Sequence, residues 1–169
     1  YGCTYRLFAR VFEKFGVQPA YFDLSNPANY AKITDLKPAL VWIESPTNPM
    51  LKVLDIAAIS EVARQAGAPV IVDNTFASPA LQRPLELGAD ITFHSSTKYL
   101  AGHSDTLGGI VVTNDDAENV LMRSIAFHGA SGDDKYNCAR IGMNSRLDTI
   151  QAAILIEKLV AMIVPAAGA

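Results

Sequence analysis

Asp90-Ile91-Thr92-Phe93-His94-Ser95-Ser96-Thr97-Lys98-Tyr99-Leu100-Ala101-Gly102-His103-Ser104-Asp105 is an apolar run that empties into a hydroxyl-rich loop. Asp90 to His94 reads as a buried strand, and after the Gly108-Gly109 break comes a second apolar run, Ile110-Val111-Val112. Lys98 is therefore expected on a loop just past the carboxyl end of a parallel strand, where open α/β sheets place their ligands. Flanked by short hydroxyls and Gly102, it has the setting of a Schiff-base lysine.

Upstream, Val70-Ile71-Val72 predicts another buried strand that ends at Asp73, and Ala39-Leu40-Val41-Trp42-Ile43 a third. That third strand runs into Glu44-Ser45-Pro46-Thr47-Asn48-Pro49, whose two prolines predict a rigid loop. Between them, Asp55 is an N-cap for a helix with Ile56, Ile59, Val62, Ala63 and Ala66 on one face, closed by Gly67. Leu7, Phe8, Val11, Phe12 and Phe15 recur at helical spacing and Gly16 stops them. Ala20 to Leu24 predicts a short strand, Ser25-Asn26-Pro27 a helix start running to about Leu36, and Leu81 to Leu87 a short helical segment.

Downstream, a helix is expected from about Asp116 to Phe127, then a Gly-rich, charged stretch from His128 to Arg146. Leu147, Ile150, Ile154, Leu155, Leu159 and Met162 mark a long last helix, and Ala152 to Val164 reads as buried. Strands alternating with helices predict βαβ units: an α/β fold in three αβα layers around a mostly parallel sheet.

The chain has 169 residues, half of them apolar, and a formal charge of -3, which fits one domain with a sizeable core. Its fourteen basic side chains are scattered, so neither nucleic acid nor an anionic membrane is the expected partner. A small molecule is. Cys3 and Cys138 form neither a metal spacing nor a disulfide framework, and a reducing cytoplasm is the default. Glu157 and Lys158 interrupt the apolar last helix well short of a membrane span. The chain opens on Tyr1-Gly2-Cys3-Thr4 without an initiator Met, which is expected of part of a larger enzyme.

If the strands ending at Asp73 and preceding Lys98 are close, carboxylate and amine project over one sheet edge. Pyridoxal phosphate (PLP) chemistry needs such a pair: the amine to hold the aldehyde as an imine, the carboxylate to keep the pyridine nitrogen protonated. Ser95 and Thr97 suit the phosphate, Lys98 suits proton transfer between carbons, and Tyr1 offers a ring to stack and a phenol. Taken singly, each has an ordinary alternative: a surface lysine, a turn-forming aspartate, loop hydroxyls, an edge aromatic. His94, His103 and His128 share no metal-ligand spacing. On spacing alone, PLP is one reading among several.

Four motifs in register narrow the choice. Tyr1-Gly2-Cys3-Thr4-Tyr5-Arg6, Glu44 to Pro49, Val72-Asp73-Asn74-Thr75, and Ser95 to Tyr99 with Gly102 to Asp105 resemble the cysteine and methionine metabolism family of PLP enzymes over about residues 1 to 112. The resemblance implies the large domain of the aspartate-aminotransferase fold (fold type I), incomplete here. It implies β- or γ-elimination or γ-replacement on sulfur amino acids or homoserine esters, in trans-sulfuration. By matching positions it makes Lys98 the Schiff-base lysine, Asp73 the partner of the ring nitrogen, Ser95 and Thr97 phosphate ligands and Tyr1 the stacking tyrosine. Asn48 becomes a contact to the ring hydroxyl or substrate carboxylate. A homodimer or homotetramer is implied too.

From about Gly109 the pattern changes. Thr113-Asn114-Asp115-Asp116, Phe127-His128-Gly129 and Ile141-Gly142-Met143-Asn144-Ser145-Arg146, with the adjoining Leu147 to Ala153, resemble the nucleotide-sugar aminotransferases, another PLP family of the same fold. There the element reaches the phosphate of the neighbouring subunit, a role that would fall to Asn144 and Arg146. The resemblance further implies that an upstream phosphate loop and a C-terminal small domain lie outside these residues. Three expectations result: a trans-sulfuration enzyme, a nucleotide-sugar aminotransferase, or a fragment without turnover.

Overall fold

The computed structural model describes residues 1–131 and 134–163, the side chains of 134, 135, 162 and 163 excepted. Gly132 and Asp133 of the Gly-rich stretch, the Met162 side chain, Val164 and the closing Pro165 to Ala169 lie outside the described residues. The sheet is built from β1 (Val41–Glu44), β2 (Val70–Asp73), β3 (Ile91–Ser95) and β4 (Gly109–Thr113), in that spatial order. β1, β2 and β3 are parallel, and β4 is antiparallel to β3.

Alternation divides the strands between two faces. Val41 and Ile43, level with Val70 and Val72, point into a core completed by Ile33 of α2 (Ala31–Leu36) and by Ile56, Ile59 and Ala63 of α3 (Ile56–Gln65). Asp55 caps α3 by accepting the Ala58 N–H at 2.9 Å. On the other face α1 (Gly2–Arg10) lays Phe8 edge-on against Trp42, ring centroids 5.4 Å apart, and Trp42 meets Phe93 at 4.9 Å. Helices on both faces make the three layers.

Glu44, Asp73, Phe93 and Ser95 share the α1 face, as the register Glu44↔Asp73 and Asp73↔Phe93 requires. The predicted strands at residues 39 to 43, 70 to 72 and 90 to 94 are present within two residues of their expected ends. So is the late helix, α5 (Asp116–Ala126). The short helical segment before β3 divides into α4 (Ser78–Leu81) and a 3-10 turn, Pro84–Leu87.

Two expectations are corrected, and one stretch gains elements the sequence did not announce. Ala20 to Leu24 is not a strand. The Asp23 carboxylate accepts from both the N–H and the hydroxyl of Ser25, folding the chain into a local turn, and it pairs with Lys52 Nζ at 2.6 Å. The Lys52 and Ser25 donors hold that carboxyl down to about 2. Within the Gly-rich, charged stretch, β5 (Ala130–Ser131) and β6 (Asp134–Cys138) form an antiparallel pair. The last helix, α6 (Thr149–Ile163), is not buried: Leu155 is 5% exposed, but Ile150 is 76% and Ile156 60% exposed. Its apolar residues run nearly all round the helix, whereas a single face docks, fastened by Lys158 to Asp105 at 2.5 Å.

Ile59 is fully buried beneath the sheet, so Ile59→Ala is expected to cost about 3 kcal/mol. Asp55→Ala, which removes only the cap, is expected to cost about 1 kcal/mol. Urea titrations of the two variants check the ratio.

Candidate active site

Each of the three parallel strands hands a polar loop to the same edge of the sheet, and a cavity of about 400 Å³ opens there under α1. Of the residues singled out in the sequence, Tyr1, Asn48, Asp73, Ser95 and Lys98 line it together. Thr97 and Asn144 are not among its lining residues.

Asp73 is 7% exposed and ends β2. Its Oδ1 accepts the backbone N–H of Thr75 at 3.0 Å and the Thr75 hydroxyl at 2.5 Å. Thr75 Oγ1 in turn accepts the N–H of Ser95 at 2.9 Å, so one hydroxyl joins the carboxylate of β2 to the root of the lysine loop. Both bonds to Asp73 use Oδ1, and Oδ2 has no hydrogen bond among the described residues. A carboxylate oxygen that is open to the cavity and has no donor suits a protonated ring nitrogen.

Lys98 Nζ donates to Ser95 Oγ at 3.1 Å and stands 5.4 Å from the centroid of the Tyr1 ring. It makes no ion pair among the described residues. The loop is fixed at its neck by Thr97, whose hydroxyl accepts the Gly108 N–H at 3.0 Å and lies 3.3 Å from the Gly108 carbonyl oxygen. A side chain at Gly108 would place its first carbon 2.7 Å from Ser96 Oγ, which is why glycine stands there. The Thr97 hydroxyl is thus spent on closing the loop. In this arrangement Ser95 is the hydroxyl that faces the cavity.

Glu44, to which the sequence alone assigned no role, also lines the cavity and accepts the Asn48 N–H at 3.0 Å, which sets the course of the proline loop. Both X–Pro bonds of that loop, Ser45–Pro46 and Asn48–Pro49, are cis. The neighbouring Cys3 thiol raises the Tyr1 phenol above its ordinary value, and the phenol is the leading cause that draws the Cys3 thiol down, with Arg6, 3.0 Å from the sulfur, and Lys98 adding to it. Thr75, Trp42, Phe76 and Phe93 are further lining residues. Only Thr75 carried a sequence signal, as part of the Asp73 motif.

Asn144 is exposed and sits in an isolated bridge with Phe127; its Oδ1 accepts from Arg146 Nε at 3.1 Å, and the Arg146 guanidinium covers the Phe127 ring at 4.4 Å. These residues shape a loop away from the cavity of this chain. No group of His, Cys, Asp and Glu that could hold a metal occurs among the described residues, and none of their helices is long and apolar enough to cross a membrane.

A lysine and a buried carboxylate on neighbouring strand ends, under an aromatic ring, define a cofactor-dependent enzyme of the fold type I class. The chain belongs to the Cys/Met metabolism PLP-dependent enzyme family, whose model matches residues 1–145. It is 50% identical over 116 residues to a probable cystathionine gamma-synthase of Herpetosiphon aurantiacus, covering 69% of this chain and 36% of that protein. It is 46% identical over 113 residues to a cystathionine gamma-lyase of Bacillus subtilis, covering 67% of this chain and 30% of that one. The crystal structure of cystathionine gamma-lyase from Lactobacillus plantarum complexed with L-serine superposes with a TM-score of 0.77 at 37% identity, over 94% of this chain and 38% of that one. Apo CalE6, a methionine gamma lyase from Micromonospora echinospora, gives 0.77 at 38%, over 94% and 40%. The chain thus spans about a third of the length of the curated relatives it matches. The family match runs to residue 145, beyond the limit of about residue 112 expected from the motifs and across most of the stretch expected to resemble the aminotransferases, while the curated alignments span 116 residues or so.

His94 lies on the opposite face of β3, 4% exposed, and burial pushes its imidazole below the ordinary value against the opposing pull of the Asn74 backbone and Asp73. The unfolded chain therefore binds the proton first: stability is complete above about pH 6.5 and declines as pH falls through that value toward the folded one. Urea midpoints taken between about pH 7 and about pH 5 should fall, and His94→Gln should flatten the decline.

Proposed function

We propose that this segment holds pyridoxal phosphate for a trans-sulfuration enzyme, one that performs β- or γ-elimination or γ-replacement on sulfur amino acids or homoserine esters. What supports it most is the meeting of Lys98 and the free Oδ2 side of Asp73 in one cavity, in a chain of this family. The names of its relatives, cystathionine gamma-synthase, gamma-lyase and beta-lyase, supply the substrate class.

When bound, the pyridinium ring supplies the electron sink for negative charge at the substrate's α-carbon. Asp73, held by Thr75 at one oxygen, would keep a proton on the ring nitrogen through the other. Lys98 would attach the cofactor and, from its place beside Ser95, would hold the amine that moves protons between the α- and neighbouring carbons. Tyr1 would stack on the ring, and Asn48 would contact the ring hydroxyl or the substrate carboxylate. Ser95 and Thr97 would be the phosphate ligands, Thr97 also closing the neck of the loop through Gly108.

Among the described residues lining the cavity, Lys98 is the sole basic side chain. A phosphate dianion and a substrate carboxylate both require cations, so the 169 residues alone are expected to bind weakly and turn over little. The missing cations would come from other parts of the enzyme or from a second subunit of a homodimer or homotetramer. Both cysteines are free, consistent with a cytoplasmic enzyme.

Adding PLP to the purified chain, reducing with borohydride and mapping the adduct by peptide mass tests the proposal. A pyridoxyl group on Lys98, lost in Lys98→Ala and reduced at least about tenfold in occupancy in Asp73→Ala, is the expected result. A folded chain that takes up no cofactor at Lys98 would refute it. Elimination from cystathionine or methionine, or replacement on a homoserine ester, by an intact enzyme built on this segment then fixes the substrate. Formation of the pyridoxamine form with glutamate would favour the aminotransferase reading instead.

A further inference from the structure

The ladder between β1 and β2 ends with the Ser45 N–H donating to the Asp73 carbonyl at 3.2 Å. Ser45 is fully buried, and its own carbonyl, one step further, has no strand left to pair with. A buried carbonyl requires a donor. Gln82, at the C-terminal end of α4, provides it: Nε2 donates to Ser45 O at 2.8 Å and, with its second hydrogen, to Asn74 Oδ1 at 2.8 Å. Asn74, fully buried, answers by donating Nδ2 to the Gln82 carbonyl at 2.8 Å.

The two ends of this clamp are the two loops that bear cavity residues. From Ser45 the proline loop leads to Asn48, and Ser45 Oγ accepts the Leu54 N–H at 3.1 Å where that loop returns. Asn74 lies between Asp73 and Thr75, and its N–H donates to the Phe93 carbonyl of β3 at 3.0 Å. Gln82 itself is not among the cavity-lining residues. We propose that Gln82 is a positioning residue of the cofactor site, its side-chain amide extending the β1–β2 ladder so that Asn48 and the Asp73–Thr75 corner are set at a fixed separation.

The inference rests on the cofactor reading above for its consequence, though not for the clamp itself. Gln82→Met keeps the length and removes both donors. Gln82→Glu keeps the shape and turns acceptors toward two acceptors, which makes it the harsher change. Gln82→Asn keeps the donors but shortens their reach, and serves if either of the others fails to fold.

Backbone hydrogen exchange, read by mass spectrometry on the full 169-residue chain, is the first measurement. Exchange in residues 45–54 and 73–76 should quicken about tenfold in Gln82→Met, more in Gln82→Glu, with α3 and β3 unchanged. In parallel, the PLP concentration that half-fills Lys98 before borohydride trapping should rise about tenfold, and the visible circular dichroism of the bound cofactor should change shape. Unchanged exchange in both loops would overturn the clamp. Exchange that quickens uniformly across the chain would overturn it too, since that marks general loss of stability. Faster exchange in both loops with an unaltered titration and dichroism would sink the positioning role. A wild-type chain that takes no PLP at Lys98 would refute the cofactor reading alone, and the exchange data would still decide the clamp.

Discussion

The hydroxyl of Thr75 is the joint on which the site depends. It gives its hydrogen to Asp73 and takes one from the Ser95 N–H, so the acid of one strand and the lysine loop of the next are held through a single oxygen. Two parallel strands can present side chains over the same edge, but their pairing alone does not fix how far the emerging loops diverge. Thr75 fixes it, using its one donor and one of its acceptor positions. The Asp73 oxygen that remains faces the cavity without competition.

Around that joint the polar groups are distributed by burial. Trp42 and Phe93 make an apolar floor against α1, and Asp73 lies between neighbours that exclude water from most of its surface. Charge on such a group is sustained by hydrogen bonds and by a partner cation, not by solvent. The side chains that meet water, Tyr1 and Tyr99, are amphipathic aromatics at the rim. Lys98 is the one basic side chain among the described residues that line the cavity, and that separates a well-formed cofactor floor from the anion grip that it still needs.

Much of this was legible in the residues. Apolar runs ending in Asp73 and in Ser95 announce buried parallel strands whose loops share an edge, and the four motifs taken together, not the lysine alone, point to the chemistry there. Less legible were features set by contacts distant in sequence. Whether the Thr97 hydroxyl faces a ligand or Gly108 depends on where the chain returns eleven positions later, and no spacing rule states that. Tyr21 and Phe22 have strand propensity, yet Asp23, Ser25 and Lys52 make a turn there; propensity yields to a local carboxylate with three donors. The apolar residues of α6 predict burial on average, but burial needs a partner surface, and among its described side chains Leu155 alone is buried while Ile150, Ile154, Ile156 and Val160 stay exposed. Gln82 carried no signal at all, because what matters about it is the unsatisfied carbonyl that it reaches.

The antiparallel direction of β4 divides the chain into two territories. Gly109 lies level with Ser95 at the cavity edge, whereas Thr113 lies level with Ile91, at the far end of the sheet. The chain therefore leaves β4 on the side remote from Lys98, and α5 with the β5–β6 pair builds outward from there. The hydrogen bonds among Asp73, Thr75 and Ser95 are all made upstream of that strand, and the downstream chain returns to the lysine loop from α6, where Lys158 pairs with Asp105.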